Sequence, residues 1–190
     1  MTNPVRQSTL LAGVALALLG CASQERPRPW AGRVGAELSP LGYRNWVVIA
    51  DAAFPVHSRR GVRTVVVDAG IPEVLDETLQ VLERVQNVTP RVYVARELSY
   101  VPNDRAPGVD PLRRRLEAAL RGYPARAMEY RSMSLLLEDA SNKFAVVVFK
   151  TKTTLPYSSV YIELDSGYWD AESERELRDR MEARRRMEST

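Results

Sequence analysis

Asp51 and His57 stand within one short stretch, VVIADAAFPVHS at 47–58, where a run of apolar residues ends on an acid and leads through Phe54 and Pro55 to the only histidine of the chain. An ionised carboxylate accepts hydrogen bonds from hydroxyls, and an imidazole gives and takes protons near neutrality, so the pair suits a site that holds a polar ligand and moves its protons. Pro55 stiffens the loop between them. Two readings of this pair stay open on chemistry alone. Asp51 faces a ligand, or it bonds the amides of its own turn as short acids do, with His57 on the surface.

The elements that hold these residues follow from periodicity. Residues 46–50 (WVVIA) are continuously apolar and β-branched, as in a strand covered on both faces. Further strands are expected at 64–67, 91–95, 127–130, 144–149 and 160–164. A helix is expected over 72–86, opened by Pro72 and carrying Leu75, Leu79 and Leu82 on one face. Another spans 111–121, with Asp110 as N-cap, Leu112, Leu116 and Leu120 at intervals of four, and Gly122 as its stop. A third, short helix covers 132–139. Strands alternating with helices predict an α/β domain with a largely parallel sheet and helices on both faces, in which ligands sit beyond the carboxyl ends of the strands. Asp51 occupies such a position.

The first residues read differently. After Arg6 comes an apolar run, Leu10 to Gly20, followed by Cys21, Ala22 and Ser23. This is an export signal, too short to span a bilayer, which takes about 20 apolar residues. Leu18, Leu19 and Gly20 before the cysteine resemble the lipobox of bacterial lipoproteins, which implies a chain lipidated on Cys21 and tethered to the membrane. The cysteine is the only one, so it has no disulfide partner. Ala22 and Ser23 after it lack the aspartate that resembles an inner-membrane retention signal, so in a two-membrane bacterium the expected location is the outer membrane, facing the periplasm. The expected organisation is a signal over 1–20, a Pro-, Gly- and Arg-rich tether over 21–36, a domain over 37–166 and a charged helix or tail over 167–190.

Composition narrows the partners. With 27 basic and 24 acidic residues the formal charge is +3. The charges are interspersed and form no aromatic-studded basic patch, which argues against nucleic acid. One histidine and one cysteine argue against a zinc site.

Two longer segments carry a family resemblance. LGYRNWVVIADAAFPVHS, 41–58, resembles the opening motif of the ribose pyranase and fucose mutarotase (RbsD/FucU) family, where a Gly-His-x-Asp element precedes an apolar strand and an Asp-Ala pair. The ending Phe54, Pro55, His57, Ser58 is closer to the fucose branch. FAVVVFKTKTTLPYSSVYIEL, 144–164, is similar to the family's final strand pair with its Tyr-Gly-Asn motif. The resemblance spans roughly residues 41–164.

It implies a cofactor-independent enzyme that interconverts the α and β anomers of a monosaccharide, forming a ring-shaped homo-oligomer with sites at subunit contacts. A proton must reach the ring oxygen while another leaves the anomeric hydroxyl, so two placed proton-transfer groups and a polar lining suffice. Carried over by position, the binding aspartate falls on Asp51 and the proton-donor histidine on Tyr43. The binding arginine falls on Arg131 if two inserted residues are allowed, and on Met133 otherwise. The Tyr-Gly-Asn motif becomes Tyr157, Ser158 and Ser159, which lack the amide's paired donor and acceptor.

The exchange at Tyr43 matters most. An unperturbed phenol titrates near 10 against about 6.5 for imidazole, so a tyrosine is a poor shuttle at neutral pH. His57 is the candidate replacement. Two further readings accompany the enzyme: a catalytically silent sugar-binding protein, and an envelope assembly protein with no small ligand.

Overall fold

The computed structural model describes residues 28–188. Residues Trp46–Ala50 form strand β1 and all five are buried. Val47 and Ile49 enter one core and Trp46, Val48 and Ala50 another, because successive side chains leave a strand on opposite faces. A strand buried on both sides has no polar face, which is why its sequence is uninterrupted by polar residues.

Around β1 the chain builds a six-stranded sheet. Val62–Val66 is β2, Val88–Ala95 is β3, Ala125–Met128 is β4, Val146–Lys150 is β5 and Val160–Ser166 is β6. The spatial order is β2-β5-β1-β6-β3-β4. β1 and β2 run parallel to β5, and β3 runs parallel to β4. Only β6 is reversed, pairing antiparallel with β1 and β3. The expected α/β architecture with a largely parallel sheet is present, with β6 as a reversed strand near its centre.

Helices cover both faces. On one lie α1 (Ala31–Leu38), α2 (Ile71–Glu83) and α3 (Val109–Ala119), whose Val34, Leu38, Val74, Leu75, Leu79, Leu112 and Leu116 pack on Val47, Ile49, Phe149 and Ile162. On the other lies α4 (Tyr130–Ser141), which brings Met133, Leu137 and Ala140 against Trp46, Val48, Tyr93 and Tyr161. A final helix, α5 (Ala171–Glu188), buries no residue and carries i,i+4 pairs such as Arg178 with Glu174. No helix among the described residues is long and apolar enough to cross a membrane.

The differences from the sequence reading have local causes. Residues 31–36, read as tether, belong to α1. The segment holds Gly32 and Gly35, a weak helical composition, and its helix rests on the burial of Val34 and Leu38. The helix expected at 111–121 begins at Val109 with Gly108 as N-cap at φ 101°. Asn103 Oδ1, from the preceding loop, accepts from the Gly108 and Asp110 amides at 3.1 and 3.4 Å, so Asp110 sits in the first turn and pairs with Arg113. The strand expected at 127–130 ends at Met128, and Tyr130 opens α4. Cys21 and the apolar run before it lie outside the described residues.

Candidate functional site

β1 ends at Ala50, so Asp51 leaves the sheet at its carboxyl edge. β6 runs the other way and is paired Ile49↔Val160, which brings the residue before β6 to the end of β1, next to Asp51. That residue is Ser159. Its hydroxyl accepts from the Asp51 amide at 3.0 Å and donates to Asp51 Oδ2 at 2.8 Å. The other carboxylate oxygen, Oδ1, accepts from the Ala53 amide at 2.8 Å, an Asx turn. The turn reading of Asp51 holds for one oxygen, while the other is held by a side chain 108 residues away.

Two hollows meet at this acid. One, of about 220 Å³, is walled by Tyr130, Tyr157, Tyr161, Ser159 and Asp51. A shallower one, of about 420 Å³, runs along Ala52, Ala53, Thr154 and Leu155. Tyr157 adopts a left-handed backbone at φ 56°, an uncommon state for a non-glycine residue, and its ring meets Tyr130 edge-on at 5.8 Å. Phenolic rings beside a carboxylate supply what a pyranose needs, apolar walls for its CH faces and polar atoms for its hydroxyls.

Tyr161 forms the floor. It is 1% exposed, and its hydroxyl has no protein hydrogen-bond partner. Burial, then the nearness of Tyr130 and Asp51, pushes its phenol far above the usual tyrosine range. Its O–H is therefore retained at neutral pH, with no acceptor in the chain to receive it.

His57 stands in an adjoining cavity of about 310 Å³ that shares the Tyr130 and Tyr161 walls. Its ring packs on Phe54 at 5.8 Å, and its Nε2 is buried with no protein partner. Among the described residues no group of three or more His, Cys, Asp or Glu converges to hold a metal ion.

The structure brings Asp51, Tyr157 and Ser159 together and puts His57 next door. It sends three other expected residues elsewhere. Tyr43 lies in the turn before β1, so the length of the five-residue strand, roughly 17 Å, separates it from Asp51. It is 60% exposed at the opposite edge, beside Arg44, in a cleft with Arg91, Tyr168 and Trp169. Ser158 is fully buried and its hydroxyl donates to the Leu155 carbonyl at 2.7 Å, so it closes the loop and faces no cavity. Arg131 is exposed on the first turn of α4 and lines neither cavity.

Tyr130 and Tyr161 were missed. The signal for Tyr161 was its alternation with Val160 and Ile162, which puts a hydroxylated ring on the face opposite theirs. Tyr130 gave no such signal, because its place depends on where β4 stops.

The model of the RbsD / FucU transport protein family matches residues 33–167. Among solved structures, the chain is similar to Bacillus subtilis RbsD complexed with D-ribose, at 20% identity and TM-score 0.48 over 70% of this chain and 91% of that one. It is similar to FucU from Bifidobacterium longum at 19% and 0.49, over 70% and 92%. It is also similar to the fucose mutarotase in complex with L-fucose from Streptococcus pneumoniae at 20% and 0.44, over 68% and 89%. No curated protein matches the sequence significantly. A family match over most of the chain, ending where β6 ends, identifies this protein as a member of the RbsD / FucU transport protein family.

Proposed function

We propose that this protein binds a monosaccharide at Asp51 and exchanges its anomers, working as a homo-oligomer at the bacterial cell envelope. One observation carries the reading: a carboxylate buttressed by Ser159 stands at the rim of a cavity walled by three tyrosines. The Asp51 carboxylate accepts from sugar hydroxyls, Tyr157 donates, and the rings of Tyr130 and Tyr157 back the apolar face. The Phe54-Pro55-x-His57-Ser58 ending supports a fucose-like sugar.

Proton transfer has two candidates. His57 lines the adjoining cavity, which shares the Tyr130 and Tyr161 walls. Tyr43, at the far edge of its own sheet, serves instead a neighbouring copy's Asp51 cavity in the ring that the family resemblance implies. A second reading, binding without catalysis, is favoured by that same distance and by the loss of histidine at position 43.

Saturation-transfer NMR on fucose, ribose and galactose separates them. Anomer exchange faster than buffer that disappears in Asp51→Ala supports catalysis. Exchange at the buffer rate with binding retained supports the silent reading. Absence of both removes the sugar assignment. The envelope location rests on the Leu18-Leu19-Gly20-Cys21 run, whose cysteine we take as the lipid anchor.

A further inference from the structure

The Asp51 cavity, about 220 Å³, is smaller than the ~300–1,000 Å³ usual for ligand sites. The cavity of about 310 Å³ beside it shares two walls with it, and the polar groups there are unevenly served. Arg59 is fully engaged: it donates to Glu138 Oε1 at 2.7 Å, to the Glu138 carbonyl at 2.9 Å and to Ser141 Oγ at 3.2 Å. Ser134 donates to the Tyr130 carbonyl at 3.0 Å. Two groups, Tyr161 Oη and His57 Nε2, are buried without any protein partner. Buried polar atoms are rarely left so in folded chains, and an orphan beside a cavity is a place where a water or a ligand supplies the missing bond.

The ligand's chemistry follows from those two groups. Arg59 is paired with Glu138 and so is not left over to hold a phosphate or carboxylate. A phenol and an imidazole, flanked by Phe54 and Tyr130, suit an uncharged polyol with apolar faces. We infer that the cleft takes a ligand of two sugar units, the reducing-end unit at Asp51 and the next unit bonded by Tyr161 and His57. This rests on the monosaccharide reading of the Asp51 cavity and extends it to the substrate's size.

Calorimetry on the full chain in mild detergent tests it, with glucose against maltose, cellobiose and lactose, galactose against galactobiose, and fucose and ribose as single sugars. At least one disaccharide is expected to bind about tenfold or more tighter than its own reducing-end sugar. Ser134→Phe fills the second cavity only, and is expected to bring that ratio close to one while single-sugar affinity holds. Tyr161→Phe, which keeps the ring's shape, should reduce the ratio at least threefold, with circular dichroism confirming the fold of both variants. Single sugars binding as tightly as every disaccharide, or a ratio indifferent to Ser134→Phe, overturns the inference and leaves the monosaccharide reading standing. No binding of any sugar removes both.

Discussion

Ser159 and Asp51 hold each other twice: the serine hydroxyl accepts from the aspartate's amide at 3.0 Å and donates to its carboxylate at 2.8 Å. The pair ties the end of β1 to the start of β6. It also aims Oδ2 while leaving the oxygen's other lone pair free for a ligand.

Ser159→Ala removes both bonds and leaves the Asp51 amide without its partner. An unmade bond of this kind costs about 1–3 kcal/mol. Denaturant unfolding should show a loss in that range, and sugar affinity should fall at least fivefold because the carboxylate is no longer held. Ser159→Thr, which keeps the hydroxyl, should recover most of the affinity. Equal affinity in the alanine variant would mean that Asp51 is placed by its Asx turn alone.

The segment that forms α1 belongs to the folded domain. Leu38 is 4% exposed and packs into the core with Val34. Buried leucine-to-alanine changes cost about 2–5 kcal/mol, and Leu38→Ala should lie near the lower figure because α1 is peripheral and can settle inward. Chemical denaturation measures this. A loss under 0.5 kcal/mol, the ordinary range of a surface change, would return the segment to the tether.

Gly167 closes β6 against the chain entering β3. A methyl group on it would lie 2.3 Å from the Gln86 carbonyl oxygen and 2.9 Å from the Val88 nitrogen, both backbone atoms that cannot turn aside. Gly167→Ala should destabilise by about 1–3 kcal/mol, the usual cost of overpacking. Truncation after Asp170 should cost little, since α5 buries nothing. Thermal melts of the two proteins in parallel give the comparison.

Glu73, at the start of α2, responds to acid. Burial alone would raise its carboxyl, but the bond to Arg115 and the nearby Arg115 and Arg28 charges outweigh it and hold the pKa below the usual 4.5. A lowered folded pKa contributes stability above the unfolded value, and that contribution fades as pH falls through the folded one. The stability gap between wild type and Glu73→Gln should be greatest above about pH 4.5 and shrink below it. The group is partly exposed, so the gap should be small and reduced by salt. Urea titrations at pH 7, 5 and 3 check the direction.

Cys21→Ser should release the protein from membranes and abolish palmitate labelling. Retention of the serine variant in the membrane fraction would refute the anchor.

Local pattern in the chain was enough for the α/β class, for β1 as a strand covered on both faces, for α2 and α3 within a few residues, and for Asp51 at a carboxyl edge. These depend on spacings of two to four residues, where the backbone's own period decides which side chains share a face. What surrounds Asp51 was decided elsewhere. The reversed direction of β6 and its Ile49↔Val160 register put Ser159 on the carboxylate and Tyr161 beneath it. β4's early end swung Tyr130 into the same cavity, and the length of β1 carried Tyr43 to the far edge. Strand order and register are settled by which faces bury one another across a hundred residues of chain, and no local period records that choice.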